Sequence, residues 1–179
     1  MRYIKSFVFI FISLNLQATE LKISTFSYDI DPSWGSVVVL PDSSVLLRKK
    51  TIDTIVKTWK SSDLFQENSE YIESLQRGEQ IYSAKNFIDC ITKISCKSKQ
   101  LKKYVELLPA YNVIPNNPQN ICNSTELTCI IFPSVIPGYQ YEAFIYNKNL
   151  EWEFIRVTTT NKNKENVKKF INNFRIKGV

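Results

Sequence analysis

VLLRKKTIDTIVKTWK, residues 45–60, holds the point at which the hydrophobic period of the chain changes. Upstream, SVVVL (36–40) and VLLR (45–48) flank Pro41-Asp42-Ser43-Ser44. Apolar runs around a Pro-Asp-Ser turn predict a β-hairpin with a roughly four-residue loop. Downstream, Ile52, Ile55, Val56 and Trp59 are spaced i, i+3, i+4, i+7. That is the stripe of an amphipathic helix, and Thr51 is placed to cap it. Residues 51–59 are therefore expected to be helical.

Working outward from there, LKISTFSYDI (21–30) is rich in β-branched and aromatic residues and meets Asp31-Pro32, so a strand is expected to about Tyr28. A second helix is expected from Asp63, with Gln66 at capping-box spacing, to Gly78. It is acidic: Asp63, Glu67, Glu70, Glu73 and Glu79 face a single Arg77. Between 83 and 108, Phe87, Ile91, Ile94, Ser98, Leu101, Val105 and Leu108 lie at alternating steps of four and three, one helical face with a single polar interruption, giving one long helix or two broken near Cys96. PAYNVIPNNPQN (109–120) follows, with three prolines and four asparagines in twelve residues, and reads as a loop. The last third offers a strand at 127–132, a hairpin in YQYEAFIYNKNLEWEFIRVTTT (139–160), and a final helix with Val167, Phe170, Ile171 and Phe174 as its stripe. The fold class expected is α+β: one disulfide-stapled domain over 19–179, with antiparallel strands from both ends of the chain packed with about four helices.

The compartment follows from the N-terminus. MRYIKSFVFIFISLNLQA sets Arg2 and Lys5 before an apolar run of about ten residues and ends on Ala18, the layout of a secretory signal peptide over 1–18. No segment approaches the roughly 20 apolar residues of a spanning helix, so no integral membrane span is expected. A secreted or periplasmic location makes disulfides the default state of Cys90, Cys96, Cys122 and Cys129. Their spacings, with five and six residues intervening, match neither zinc knuckles nor a C-x-x-C redox motif. Were 84–108 one helix, Cys90 and Cys96 would sit about 240° apart around it and about 9 Å along it. They would then be unable to pair with each other, and a long-range staple to Cys122 and Cys129 is the expected connectivity. A helix broken at Ser95-Cys96 would permit local pairing instead.

Composition excludes several chemistries. Histidine is absent, which removes Ser-His-Asp and Cys-His nucleophile machinery and His-ligated zinc. Four glycines, none in a phosphate-cradling or dinucleotide motif, give no reason to expect a nucleotide cofactor, and no cofactor or metal is expected. The formal charge of +6 falls to about +4 once Arg2 and Lys5 leave with the leader. Lys93, Lys97, Lys99, Lys102 and Lys103 cluster in one segment, and Lys162, Lys164, Lys168, Lys169, Arg175 and Lys177 in another. No nucleic-acid motif accompanies either cluster, so nucleic acid is not an expected partner.

Among candidate sites, Glu151 and Glu153 share one face of a strand, with Glu142 on its partner, and paired carboxylates suit acid-base work. A three-residue turn at Asn147-Lys148-Asn149 would pair Phe144 with Trp152 and Tyr146 with Leu150. That register puts the aromatics inward and leaves Glu151 and Glu153 facing solvent beside Ala143 and Ile145. Asp29 and Asp31 precede a turn, where Asp is favoured for local backbone bonding. Asn123-Ser124-Thr125 fits the N-glycosylation rule and reads as exposed loop. Trp34, Tyr111, Tyr139 and Tyr141 neighbour turns or prolines, positions suited to aromatic anchors.

The functional expectation is a secreted or periplasmic, non-catalytic protein-binding domain, an inhibitor or immunity-type partner of another envelope protein. Its candidate contact residues are Glu67, Glu70, Glu73, Lys99, Lys102, Lys103, Tyr111 and Tyr139, segregated by charge in a way that steers a charged partner. The alternatives are a secreted enzyme or toxin using carboxylates or a Ser-Lys pair, and a structural subunit of an envelope assembly.

Overall fold

The computed structural model describes residues 20–30, 33–60, 83–149 and 152–176. Residues 52–60, expected as a helix, form instead the longest strand of the described chain, β5 (Ile52–Lys60). It pairs antiparallel with β4 (Val45–Lys49) on one side and β8 (Glu153–Thr159) on the other. Both readings use the same residues. Val56 lies beside Val157 on one face, while Trp59 lies beside Phe154 on the other. An interior strand covered on both faces carries apolar residues on both, which blurs the period of two. The β-branched content of Ile52, Thr54, Ile55, Val56 and Thr58 favours the strand.

The remaining strands are β1 (Glu20–Ile23), β2 (Phe26–Asp29), β3 (Ser36–Val39), β6 (Leu127–Pro133), β7 (Tyr141–Asn147) and β9 (Phe174–Ile176). They build two antiparallel sheets, a large one in the order β3-β4-β5-β8-β7-β6 and a small one in the order β1-β2-β9. Four helices complete the described chain: α1 (Ala84–Ile91), α2 (Lys99–Glu106), α3 (Pro109–Val113) and α4 (Lys164–Ile171). The α+β expectation stands, with sheet predominating.

The large sheet separates two cores. On one face Leu47, Val56, Ala143, Ile145 and Val157 meet Phe26, Tyr28 and Phe174 of the small sheet and Val167 and Ile171 of α4. On the other, Ile130, Phe132, Phe144, Tyr146 and Phe154 meet Phe87, Ile88 and Ile91 of α1 and Leu101 and Val105 of α2.

Several local expectations are corrected. The N-terminal strand folds back at Ser24-Thr25, so that Ile23 faces Phe26. The loop at 109–120 opens with the short helix α3, whose Pro109 occupies a first-turn position where its missing N–H costs nothing. Phe174 leaves the last helix for β9. The β3–β4 hairpin has its loop where expected. There, Ser43 takes φ +63° and Asp42 Oδ1 accepts from the N–H and hydroxyl of Ser44, at 3.1 and 2.6 Å.

The cysteines correct the long-range staple. Cys90 pairs with Cys96 and Cys122 with Cys129, with Cα atoms 4.4 and 5.2 Å apart. Local pairing is possible because α1 ends early. The Thr92 hydroxyl donates to the carbonyl of Ile88 in competition with the backbone ladder, and Lys93 turns to φ +61°. Ser98 then caps a new helix by accepting from Leu101 N–H at 3.2 Å. A non-reducing digest is expected to yield Cys90–Cys96 and Cys122–Cys129 as separate linked products. Recovery of any peptide joining the two brackets would refute this connectivity.

Candidate functional site

The carboxylates are the groups whose chemistry an enzyme would use. The β7–β8 hairpin pairs Phe144 with Arg156 and Ile145 with Ile155, a register shifted by four residues from the expected one. The correction moves Trp152 out of the strand, where it is 55% exposed, and puts Phe154 inward at 2%. Glu153, expected to face solvent, is buried, and so is Glu142. Glu142 Oε2 accepts from Arg156 Nε at 2.7 Å and from the terminal guanidinium nitrogen, while Oε1 accepts from Ser134 Oγ at 3.0 Å and Val135 N–H at 3.1 Å. Arg156 is the partner that sequence reasoning missed. Its signal was a lone cation among Phe154, Ile155 and Val157.

Glu153 lies on the opposite face, where it reaches the β1–β2 turn. Its carboxylate accepts from Ser24 Oγ at 2.7 Å, Thr25 N–H at 3.3 Å and the Thr25 hydroxyl. Ser24 sits at φ +53°, a conformation uncommon for a residue with a side chain. The carboxylate binds the donors of that turn and ties the small sheet to the large one. Both glutamates thus have structural partners at every oxygen. Glu151 and Asp31 lie outside the described residues, and Asp29 ends β2 at an exposed position.

The lysines behave differently. α2 buries Leu101, Tyr104 and Val105, which leaves Lys99, Lys102 and Lys103 exposed on its outer side. Lys102 approaches Glu106 at 3.9 Å, a solvent-exposed pair of little energetic weight. The Cys90–Cys96 bridge fixes the segment that leads into this helix. Beside it, Lys93 Nζ donates to the carbonyl of Ile114 at 2.9 Å and lies 4.5 Å from the centre of the Tyr111 ring. Tyr111 is accordingly half-buried and engaged within the fold. Tyr139 belongs to the β6–β7 connection instead, half-buried, with its N–H donated to Ile136. The three acidic candidates Glu67, Glu70 and Glu73 lie outside the described residues.

One concave region was not foreseen. A cleft of about 640 Å³ lies where the β1–β2 hairpin, the β3–β4 turn and the end of β5 converge. Asp42 on its rim is held down to about 2 by the Ser44 hydroxyl and N–H, with Lys57 at 3.1 Å adding to the effect. The Pro-Asp-Ser turn was legible as a turn, although nothing in it announced a cleft. Tyr146, by contrast, is pushed above the usual phenol range, first by burial, and donates to Asp89 Oδ1 at 3.3 Å.

Among the described residues no group of three or more Cys, Asp or Glu is arranged to hold a metal ion. No helix among them is long and apolar enough to cross a membrane. The two disulfides fit an oxidising, extracytoplasmic compartment. Comparison with protein-family models, with curated proteins and with solved structures finds no match.

Proposed function

We propose that this chain is an extracytoplasmic, non-catalytic protein-binding domain, an inhibitor or immunity-type partner of another envelope protein. The observation that carries the reading is the outer face of α2. Lys99, Lys102 and Lys103 stand exposed on a helix whose other face is anchored in a core and whose approach is fixed by a disulfide. A rigid cationic face of this kind loses little conformational freedom on binding and steers an acidic partner toward it. The partner's chemistry is therefore an acidic protein surface. Glu142 and Glu153, the described glutamates a carboxylate enzyme would have drawn on, are instead bound to Arg156 and to the Ser24-Thr25 turn.

Reversing the three lysines together to glutamate is expected to slow association with the captured partner at least tenfold while leaving dissociation nearly unchanged. The wild-type rate is expected to fall as salt rises, since screening shortens to about 8 Å at physiological ionic strength. Surface plasmon resonance at several salt concentrations measures both. An association rate indifferent to salt and to the reversal would remove α2 from the interface.

A further inference from the structure

A second cavity, of about 300 Å³, lies where the start of β5 and the end of β8 meet α4, at the opposite end of β5 from the larger cleft. Its walls are aromatic. Phe170 of α4 packs on Tyr28 with ring centres 4.7 Å apart and meets Trp34 edge-on at 5.6 Å, so that Trp34 and Phe170 form a corner beside a buried tyrosine. The neighbour of Trp34 fixes it in place: Gly35 N–H donates to the Arg48 carbonyl at 2.8 Å. Trp34 and Phe170 are each half-buried, so both keep surface for a ligand.

Amides border this corner. Asn166, Phe170 and Asn173 follow at i, i+4 and i+7, so one stripe of α4 and the turn after it sets a carboxamide on each side of the Phe170 ring. The backbone of both asparagines is engaged, with Asn166 N–H donating to the Asn163 cap at 3.1 Å and Asn173 N–H to the Phe170 carbonyl at 3.2 Å. Their side chains are exposed and make no hydrogen bond among the described residues. Asn161 lines the cavity as a third amide, and its Oδ1 already accepts from Asn163 N–H at 2.9 Å, so it contributes donors only.

The pairing of an aromatic corner with free carboxamides selects a class of ligand. A carboxamide offers a donor and an acceptor side by side, the complement of two adjacent hydroxyls. Aromatic side chains supply the apolar surface against which a C–H face packs. A pyranose ring presents both, a C–H face and an edge of vicinal hydroxyls. A cation, the other common guest of an aromatic corner, is opposed by Lys49 and Lys169 in the same lining. Lys49 donates to the Ser33 hydroxyl, a neutral partner that leaves its charge in place. The volume stands at the low end of the roughly 300–1,000 Å³ of small-molecule sites, room for about one ring. We infer that this cavity binds a pyranose ring, stacked on Trp34 and Phe170 with its hydroxyls bonded to Asn166 and Asn173. A free sugar and one residue of a glycan chain offer the same chemistry here. The cavity is separate from the α2 lysines, so the inference goes beyond the function proposed above.

The test uses the full disulfide-bonded chain on an array of glucose, galactose, mannose and N-acetylglucosamine, each as monosaccharide and as trisaccharide. Isotope-labelled protein is then titrated with the best-bound sugar, and with choline as the cationic control. The sugar is expected to shift the side-chain amide resonances of Asn166 and Asn173 and the indole resonance of Trp34. Asn166→Ala and Asn173→Ala are each expected to weaken binding about tenfold, the worth of one lost hydrogen bond, with the unfolding midpoint unchanged. Trp34→Ala is expected to abolish binding. Because Trp34 also packs against the core, the two asparagine variants keep the test decisive if that variant fails to fold. Equal affinity for monosaccharide and trisaccharide identifies a free sugar as the ligand, and tighter binding of the trisaccharide identifies a glycan chain. Reversal of the α2 lysines is expected to leave sugar binding intact, which keeps this site distinct from the protein-binding face. An array without binding, sugar binding indifferent to both asparagine variants, or choline bound more tightly than any sugar would overturn the inference.

Discussion

Glu142→Ala is expected to destabilise the protein by about 3 kcal/mol. The carboxylate is fully buried while Arg156 keeps 27% of its side chain exposed, so the two halves of the pair respond differently to loss of the other. Removing Glu142 leaves a guanidinium partly out of water without a counter-charge, and it also orphans the Val135 N–H that holds the β6–β7 connection. Breaking a buried ion pair from one side costs about 3 to 5 kcal/mol, and an unsatisfied buried donor about 1 to 3. The residual solvent access of Arg156 places the total at the lower end. Replacing both residues by methionine is expected to recover at least half of the loss, because no unpaired charge then remains. Urea denaturation of the two single variants and the double variant measures the coupling directly. A cost below about 1 kcal/mol for Glu142→Ala would mean that the pair is exposed to water in solution. The carboxylate would then again be free for chemistry.

How much of this was legible in the sequence depends on whether local pattern or tertiary cover decided each element. The β3–β4 hairpin was readable because its turn chemistry and its β-branched flanks agree, and β6 because LTCIIFP is apolar apart from Thr128. β5 was misread because it lies between β4 and β8 and is covered on two faces, so its apolar residues fall into a spacing that a helix also satisfies. The cysteine pairing turned on where α1 stops. Thr92 and Ser98 carry that information, the first by bonding back to Ile88 and the second by capping α2, yet a continuous run of three- and four-residue steps concealed both. The carboxylates were identified as the residues to test, but their environments were not. Glu153 was placed on the same face as Ala143 and Ile145, and it is there. What covers that face is the β1–β2 hairpin, which comes from a segment 128 residues earlier in the chain. Sequence spacing carries no signal for such a contact.

The register of the β7–β8 hairpin gives the second large effect. Phe154→Ala is expected to cost about 3 to 5 kcal/mol, because the ring is 2% exposed, stacks on Phe87 at 6.0 Å and meets Phe144 edge-on at 5.3 Å. Trp152→Ala, although it removes a larger side chain, is expected to change stability by no more than about 0.5 kcal/mol, because Trp152 lies outside the strand with more than half its surface in solvent. The contrast discriminates between two pairings that are otherwise hard to separate. A slip of four residues is even, so every side chain keeps its face and the alternation of apolar residues fits both registers. Only the residues at the strand ends change environment, and Trp152 is the largest of them. Thermal unfolding reports the difference, since 1 kcal/mol moves the midpoint of a chain this size by about 2 to 4 °C. Phe154→Ala should lower it by about 10 °C and Trp152→Ala should leave it nearly fixed. The opposite order would restore the pairing of Phe144 with Trp152. In that pairing Arg156 would face Gln140 instead of Phe144 and would keep Glu142 as a diagonal neighbour, so the first prediction tests the ion pair and this one tests the register.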